Sequence, residues 1–239
     1  LPPDHELPDR LAAVLAVVYL IFNEGWGAGG SARAGLAGEA IRLGRALVEL
    51  MPDDGEVLAL LALMLMHDAR RDARHPDGDI VLLDDQDRDL WGHAQLVEGR
   101  QLLERAIARG NSGRYAIQAA IADLHLQQPR DWAQIAALYD ALARQTGSPI
   151  VQMNRAIAVA ELNGAEAGLS ILEQLDLDHY RYFHSTRAEL LRRAGRDAQA
   201  LEAFRRALGM AQSEPERRIL EQRVSELAGL LRGTGTSGD

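Results

Sequence analysis

Apolar residues recur at helical spacing along almost the whole chain, and breaks in this pattern divide it into successive helices. Pro8 suits the first turn of one predicted helix, and the acidic pair Asp53-Asp54 suits the N-terminus of another. Only the short run Ile80–Leu83 looks extended, and the sequence offers it no partner strand. The pattern therefore predicts an all-α fold, with helices at about 8–23, 31–51, 53–74, 86–109, 113–127, 131–145, 149–163, 165–175, 179–194, 197–212 and 214–232.

The second half of the chain shows a repeat of helix pairs. Gly164 and Gly195 each end the first helix of a pair and lie 31 positions apart, close to the tetratricopeptide (TPR) period of about 34 residues. The stretch RAELLRRAGRDAQALEAFRRALGMA places small, large, turn and aromatic residues at TPR-like positions, namely Ala188, Leu191, Gly195, Ala200, Phe204 and Ala207. The repeats are degenerate, because the pattern is broken at Glu173, Arg187 and Gln212. We expect a right-handed α-α superhelix of antiparallel, TPR-like helix pairs.

Composition suggests one or two domains and no membrane span. The 239 residues carry a formal net charge of −9 and no cysteine. The charge argues against nucleic-acid binding by this chain alone, and the lack of cysteine excludes disulfides and thiol chemistry. The longest uncharged apolar run, Leu11–Phe22, has twelve residues, whereas a membrane-spanning helix needs roughly 20. Because no secretion signal is recognisable, we expect a cytoplasmic protein.

One segment interrupts the helices: HDARRDARHPDGDIVLLDDQDRDLW, from His67 to Trp91. It concentrates eight aspartates, four arginines and two histidines. An EF-hand needs glycine and glutamate at its sixth and twelfth positions, but counting from Asp85 these are Leu90 and Leu96. The histidine spacing does not suit a zinc site, and no serine or threonine has a partner for nucleophilic catalysis. We therefore predict no metal, no cofactor, no catalytic residue and no enzymatic activity.

Two interpretations of this segment remain open. In the first, it is a long connection pinned to its own domain by ion pairs, with Ile80–Leu83 and Trp91 as apolar anchors. In the second, it is a surface for a partner, because long ordered insertions in repeat arrays commonly lie at functional faces. The residues alone favour neither interpretation.

Three segments taken together carry a family resemblance: RLAAVLAVVYLIFNEGW at Arg10–Trp26, LLALMLMHDARRDAR at Leu60–Arg74, and IVLLDDQDRDLW at Ile80–Trp91. With NRAIAVAE and the TPR-like end, they resemble the C-terminal extension of a group of bacterial extracytoplasmic-function (ECF) sigma factors, over about 8–232. Nothing resembles sigma region two or region four, and the opening LPPDHELPDR is similar to the linker that follows region four. The resemblance implies an extension that takes part in transcription initiation without recognising a promoter by itself.

The helix pattern and the resemblance together divide the chain. We expect a linker from the sigma domains at 1–7, an N-terminal helical region at 8–110 with an inserted loop at 75–87, degenerate TPR-like repeats at 111–232, and a disordered tail at 233–239. The implied partners are sigma regions two and four of the same protein and the RNA polymerase core. Promoter DNA would be contacted only through the sigma domains, and no membrane is implied.

The resemblance also implies which residues bind the partner. The expected protein-binding face is the most distinctive matching stretch: His67, Asp68, Arg70, Arg71, Asp84, Asp85, Gln86, Asp87, Arg88 and Trp91. Asn23 and Glu24 would support this face, and Asn154 and Arg155 would line the concave groove of a TPR pair. The alternative function is a stand-alone TPR-like adaptor that binds a peptide or protein in that groove. A helical enzyme ranks below both, because the sequence gathers no perturbed carboxylates in one pocket.

Overall fold

The structure is a computed structural model that describes residues 7–26, 34–76, 80–110 and 112–234. These residues form twelve α-helices and no β-strand, which confirms the predicted all-α fold. In chain order the helices are α1 (Leu7–Trp26), α2 (Ala34–Leu50), α3 (Gly55–Asp68), α4 (Arg71–Arg74), α5 (His93–Ala108), α6 (Arg114–Leu126), α7 (Trp132–Thr146), α8 (Pro149–Asn163), α9 (Ala165–Leu172), α10 (Arg181–Arg193), α11 (Asp197–Gly209) and α12 (Glu214–Thr234). Residues 1–6 of the expected linker, 77–79 of the expected loop and 235–239 of the expected tail lie outside the described residues.

The helical boundaries differ most from the predicted ones on both sides of the inserted loop. The helix predicted at 53–74 ends at Asp68, and only the single turn of α4 continues it. The helix predicted from 86 begins at His93, because two 3₁₀ turns, Leu83–Asp85 and Arg88–Leu90, come first. The run that looked extended in the sequence keeps extended backbone angles at Leu82 (φ −67°, ψ 153°) but forms no strand.

The described helices belong to two compact units, Leu1–Gln128 and Pro129–Asp239. In the first unit, α3 lies at the centre and packs against α1, α2, α5 and α6. Every residue of α3 from Val57 to Met66 is buried. A helix that is apolar on all sides has to be covered on all sides, so the neighbouring helices form a shell around it.

The N-terminus of α3 also fixes the N-terminus of α6. Asp54 caps α3, because its side chain accepts hydrogen bonds from the backbone N–H groups of Glu56 and Val57, both at 3.0 Å. The Glu56 carboxylate accepts from the backbone N–H groups of Tyr115 at 3.1 Å and Ala116 at 3.2 Å. These orphan donors of α6 are thus satisfied by an acidic side chain, which the positive end of a helix favours.

The second unit consists of helices that each pack on the next one in the chain. Contacts join α7 to α8, α8 to α9, α9 to α10, α10 to α11, and α11 to α12. The residues that stand at the small, large and aromatic positions of the repeat are all buried, namely Ala188, Leu191, Ala200, Phe204 and Ala207. Gly164 (φ 88°) and Gly195 (φ 73°) take positive φ angles, which glycine adopts without strain and which let the chain turn from one helix into the next. The repeat-like pairing predicted from these positions is therefore confirmed.

Close packing in the second unit can be tested at Gly168 on α9. A Cβ atom there would lie 2.7 Å from the Ala156 carbonyl oxygen and 2.8 Å from the Ala160 Cβ. We expect Gly168→Ala to lower the free energy of unfolding by about 1–3 kcal/mol through overpacking. The matched control is Gly229→Ala in α12, where a Cβ meets nothing within 4 Å and the better helix former should stabilise by about 0.5–1 kcal/mol. Urea unfolding measures both, and equal effects would contradict this packing.

Candidate functional site

Two backbone hydrogen bonds join the returning part of the segment that follows α3 to the end of α3 and to α4. The Gly92 N–H donates to the Ala69 carbonyl at 2.7 Å, and the Val81 N–H donates to the Arg74 carbonyl at 2.9 Å. The chain therefore leaves α3, passes through α4 and the two 3₁₀ turns, and returns beside its starting point.

A network of hydrogen-bonded side chains, which we call the Arg70 network, organises the interior of the segment. Arg70, only 8% exposed, donates from Nη1 to the Gln86 Oε1 at 3.4 Å and from Nη2 to the His67 Nδ1 at 3.3 Å. Gln86, 7% exposed, in turn donates from Nε2 to the Val81 carbonyl at 3.1 Å. Because a guanidinium has donors only, the Nδ1 atom of His67 must be the acceptor in this pair. One buried arginine thus connects the end of α3 to the returning chain.

The Trp26 ring partly balances the positive charges of Arg70 and Arg74. The Cζ atoms of Arg70 and Arg74 lie 5.7 Å and 5.1 Å from the centre of the Trp26 ring at the end of α1. Both distances are within the range of cation–π attraction. Burial and the neighbouring Arg74 lower the pKa of Arg70 to about 10. The guanidinium is therefore charged at neutral pH, although its Nε has no hydrogen-bond partner among the described residues.

His67 is held neutral by its surroundings. Its ring lies 5.6 Å from that of Trp26 and 6.4 Å from that of Phe22. Burial, followed by the charges of Arg70 and Arg74 and by His125, lowers the pKa of His67 to about 3. The neutral imidazole keeps the lone pair that accepts the hydrogen bond from Arg70.

A second group of contacts joins the segment to α5 and α6. Asp68 pairs with Arg71 and accepts a hydrogen bond from the Gln95 Nε2 at 2.9 Å, which links α3 to α5. Trp91 is 6% exposed, and the Cζ atom of Arg88 lies 4.7 Å from its ring centre. Arg88 also donates to the Leu126 carbonyl at the end of α6, at 3.3 Å. Arg88 and Trp91 therefore hold the end of the segment in place.

The outer side of the same segment presents charge and apolar surface. We call it the exposed edge, and its members are Leu82, Asp84, Asp85, Asp87, Asp89 and Leu90. The two leucines are 52% and 49% exposed and stand on either side of the four aspartates. Asp87 also caps the second 3₁₀ turn by accepting from the Asp89 N–H at 3.0 Å.

The structure divides the residues of the expected protein-binding face into two sets. Arg70, Gln86 and Trp91 are buried, and together with the half-buried His67 they hold the segment in place. Asp84, Asp85 and Asp87 are exposed, and Asp68, Arg71 and Arg88 are half-buried between the two sets. The sequence interpretation omitted Leu82, Asp89 and Leu90. Their signal is the LLDDQDRDL stretch itself, in which leucines stand at both ends of a run of aspartates.

The remaining candidate residues lie elsewhere. Asn23 and Glu24 are exposed in the last turns of α1, where Asn23 hydrogen-bonds to Tyr19. Burial raises the pKa of Tyr19 to about 12 despite this bond. Asn154 and Arg155 are half-buried on α8 in the second unit, and the Arg155 Nε lies 3.4 Å from Asp140 Oδ1 on α7.

Neither a metal cluster nor a membrane span is found in the described part of the chain. No three histidine, aspartate or glutamate side chains there are grouped so that they could hold a metal ion. None of the described helices is both long enough and apolar enough to cross a membrane.

Comparison with known proteins gives two similarities. Residues 10–107 match a family described only as a family of unknown function, DUF6596. The chain is also 41% identical over 230 residues to an uncharacterized protein of Rhizobium meliloti (strain 1021). That alignment covers 92% of this chain and 54% of the relative, so the chain spans about half the length of that protein. No solved structure matches. The family match includes the whole segment from His67 to Trp91.

The supporting role of Gln86 in the Arg70 network is tested by Gln86→Ala. This change leaves the Arg70 Nη1 and the Val81 carbonyl without their partner, so the free energy of unfolding should fall by about 1–3 kcal/mol. Hydrogen exchange of the Val81 amide should also become faster. Asp85→Ala, the neighbouring truncation on the exposed edge, is the control and should stay within about 0.5 kcal/mol. Similar losses in urea unfolding for both variants would show that Gln86 is not a support.

The neutral state of His67 predicts a pH dependence of stability. Its pKa is about 3 in the folded chain and 6.5 in the ordinary case, so between these values the unfolded chain binds the extra proton. The stabilisation is therefore complete above pH 6.5 and is lost as the pH falls. The slope approaches about 1.4 kcal/mol per pH unit for one proton. His67→Asn retains an acceptor and cannot titrate, so its unfolding free energy should decline less between pH 6.5 and pH 4. Parallel declines would contradict the assignment.

Proposed function

We propose that this chain is the C-terminal regulatory or activating extension of an alternative (ECF) sigma factor and that it acts through protein-protein contacts. The partners would be the sigma domains or the RNA polymerase core. The resemblance of Arg10–Trp26, Leu60–Arg74 and Ile80–Trp91 to such extensions supports this proposal. A further support is that the Rhizobium relative is about twice as long as the chain, which leaves room for other domains in that protein.

The observation that carries the proposal is the combination of a fixed interior with an exposed edge. Arg70, Gln86 and Trp91 hold the segment from inside, so the edge loses little conformational entropy when a partner binds. Leu82 and Leu90 offer apolar contact, and the aspartates between them offer charge that can select a partner. Nothing in this arrangement suggests a reaction, so we propose a binding function without catalysis.

The sign of the charge indicates the chemistry of the partner surface. Four aspartates on the edge and a net charge of −9 would repel phosphate backbones and attract a basic protein surface. Contact with promoter DNA would accordingly be made by the sigma domains and not by this region. The place of action would be the cytoplasm, where the polymerase is.

The alternative is a stand-alone TPR-like adaptor that binds a peptide or protein in a groove of the second unit. The repeat-like pairing of α7 to α12 favours it. Against it, Arg155 is already engaged by Asp140 and by Gln152, whose Oε1 accepts from the Arg155 Nη1 at 3.4 Å. The proposed groove residue would therefore have to exchange partners.

Run-off transcription with core polymerase tests the activating role. The comparison is between a sigma protein that carries this region, the same protein stopped before Leu1, and the stopped protein with this chain added separately. We expect activity to be lost on truncation and restored by the added chain. Full activity of the truncated protein would contradict an activating role.

The same assay locates the contact. We expect Asp85→Arg combined with Asp89→Arg to raise the concentration of added chain that gives half-maximal restoration about tenfold, equivalent to about 1.4 kcal/mol. Both positions leave the Asp87 cap in place. The matched control reverses two exposed acidic residues of the second unit, Asp176→Arg with Glu202→Arg, and changes the net charge equally. Equal effects of both pairs would show that bulk charge, and not the exposed edge, is responsible.

A further inference from the structure

Helix α1 has an apolar face that no described part of the chain covers. Its inner face, with Leu15, Val18 and Phe22, is buried in the core of the first unit. On its outer face Val14, Val17 and Leu20 are 45%, 55% and 64% exposed. Exposed apolar residues scattered singly are ordinary, but a stripe of them on one helix marks an interaction surface.

The outer face of α1 is symmetric about its middle residue. From Val17, Val14 and Leu20 lie three positions away on either side, and Arg10 and Glu24 lie seven positions away on either side. At about 100° per residue, all five fall within about 60° of the direction of Val17. Arg10 and Glu24 are exposed, so the stripe begins with a positive charge and ends with a negative one.

We propose that this stripe binds the same stripe of a second copy of the chain, with the two α1 helices antiparallel and a twofold axis at Val17. Each Val14 then faces Leu20 of the other copy, and each Arg10 faces Glu24 of the other copy. Such a contact is self-complementary, as a twofold interface must be. The antiparallel direction also brings opposite ends of the two helix dipoles together.

Charge complementarity singles out this occupant and this orientation. A parallel pair of α1 helices would place Arg10 against Arg10 and Glu24 against Glu24. An antiparallel pair about any other residue would separate the charges from their partners. Ala13, which is exposed between Arg10 and Val14, leaves room for the close approach of a helix axis at about 8–10 Å.

The stripe is small for a dimer interface. Stable dimers bury about 800 Å² on each partner, and one helix face with three large apolar residues offers less. We expect a weak and reversible association, with the apparent mass rising only toward about 1 mM, where a contact contributes about 4 kcal/mol. This inference does not depend on the proposed function, because it is argued from the exposure and the charges of α1 alone.

Sedimentation equilibrium of charge variants tests the orientation. Arg10→Glu alone puts two carboxylates together at each end of the pair, and Glu24→Arg alone puts two guanidinium groups together. Each variant should therefore remain monomeric at concentrations where the unmodified chain associates. An equimolar mixture of the two variants restores both opposite-charge pairs and should associate again. The doubly exchanged chain, with both substitutions, should also associate. A monomer at every concentration, or association that is indifferent to these charges, overturns the proposal.

A cysteine crosslink tests the position of the twofold axis. The chain has no natural cysteine, so Val17→Cys introduces a single thiol that would meet its own copy at the axis. Mild oxidation should give a disulfide-linked dimer in high yield. Val97→Cys on α5 is the control, because Val97 is about equally exposed, at 53%, but lies outside the stripe. Equal crosslinking of the two variants would indicate random collision and would contradict the pairing.

Discussion

The burial of α3 is the constraint on which the first unit depends. Ten consecutive residues, Val57–Met66, admit no polar side chain, because each is covered by a neighbouring helix. All polar interactions of this helix are therefore displaced to its ends. At the N-terminal end Asp54 and Glu56 satisfy backbone donors of α3 and α6. At the C-terminal end the chain places His67, Arg70 and the segment that returns to α5, and the candidate site forms there.

The C-terminal end of α3 explains how a nearly buried arginine is tolerated. The end of a helix carries partial negative charge, which favours a cation in the following turn. The Trp26 ring, the Gln86 amide and the neutral His67 each offer electron density to the Arg70 guanidinium. A protonated His67 would add a second positive charge and remove an acceptor, so the lowered pKa of His67 and the position of Arg70 support each other. This mutual dependence is what makes the segment a firm support for its exposed edge.

The sequence predicts the helices well and the details of the segment poorly, for physical reasons. Apolar periodicity and turn glycines suffice for α7 to α12, where Ala188, Leu191 and Phe204 are buried as their positions predict. Within DDQDRD, however, nothing local distinguishes the buried Gln86 from the exposed aspartates beside it. The difference arises from a contact with Arg70, sixteen residues earlier. The apolar run Ile80–Leu83 divides in a similar way, because Leu83 packs on the core whereas Leu82 points outward. The partner of the exposed edge remains a prediction.

Helix α1 connects the two proposed surfaces. Its inner face carries Phe22 and ends at Trp26. The Trp26 ring makes cation–π contacts with Arg70 and Arg74, so α1 helps to hold the segment in place. Its outer stripe ends at Glu24, only two residues before Trp26. In an antiparallel pair, Arg10 of the second copy would form an ion pair with Glu24. The resemblance to sigma-factor extensions gives Glu24 a supporting role for the partner face, so self-association through this residue would place a second copy beside that face.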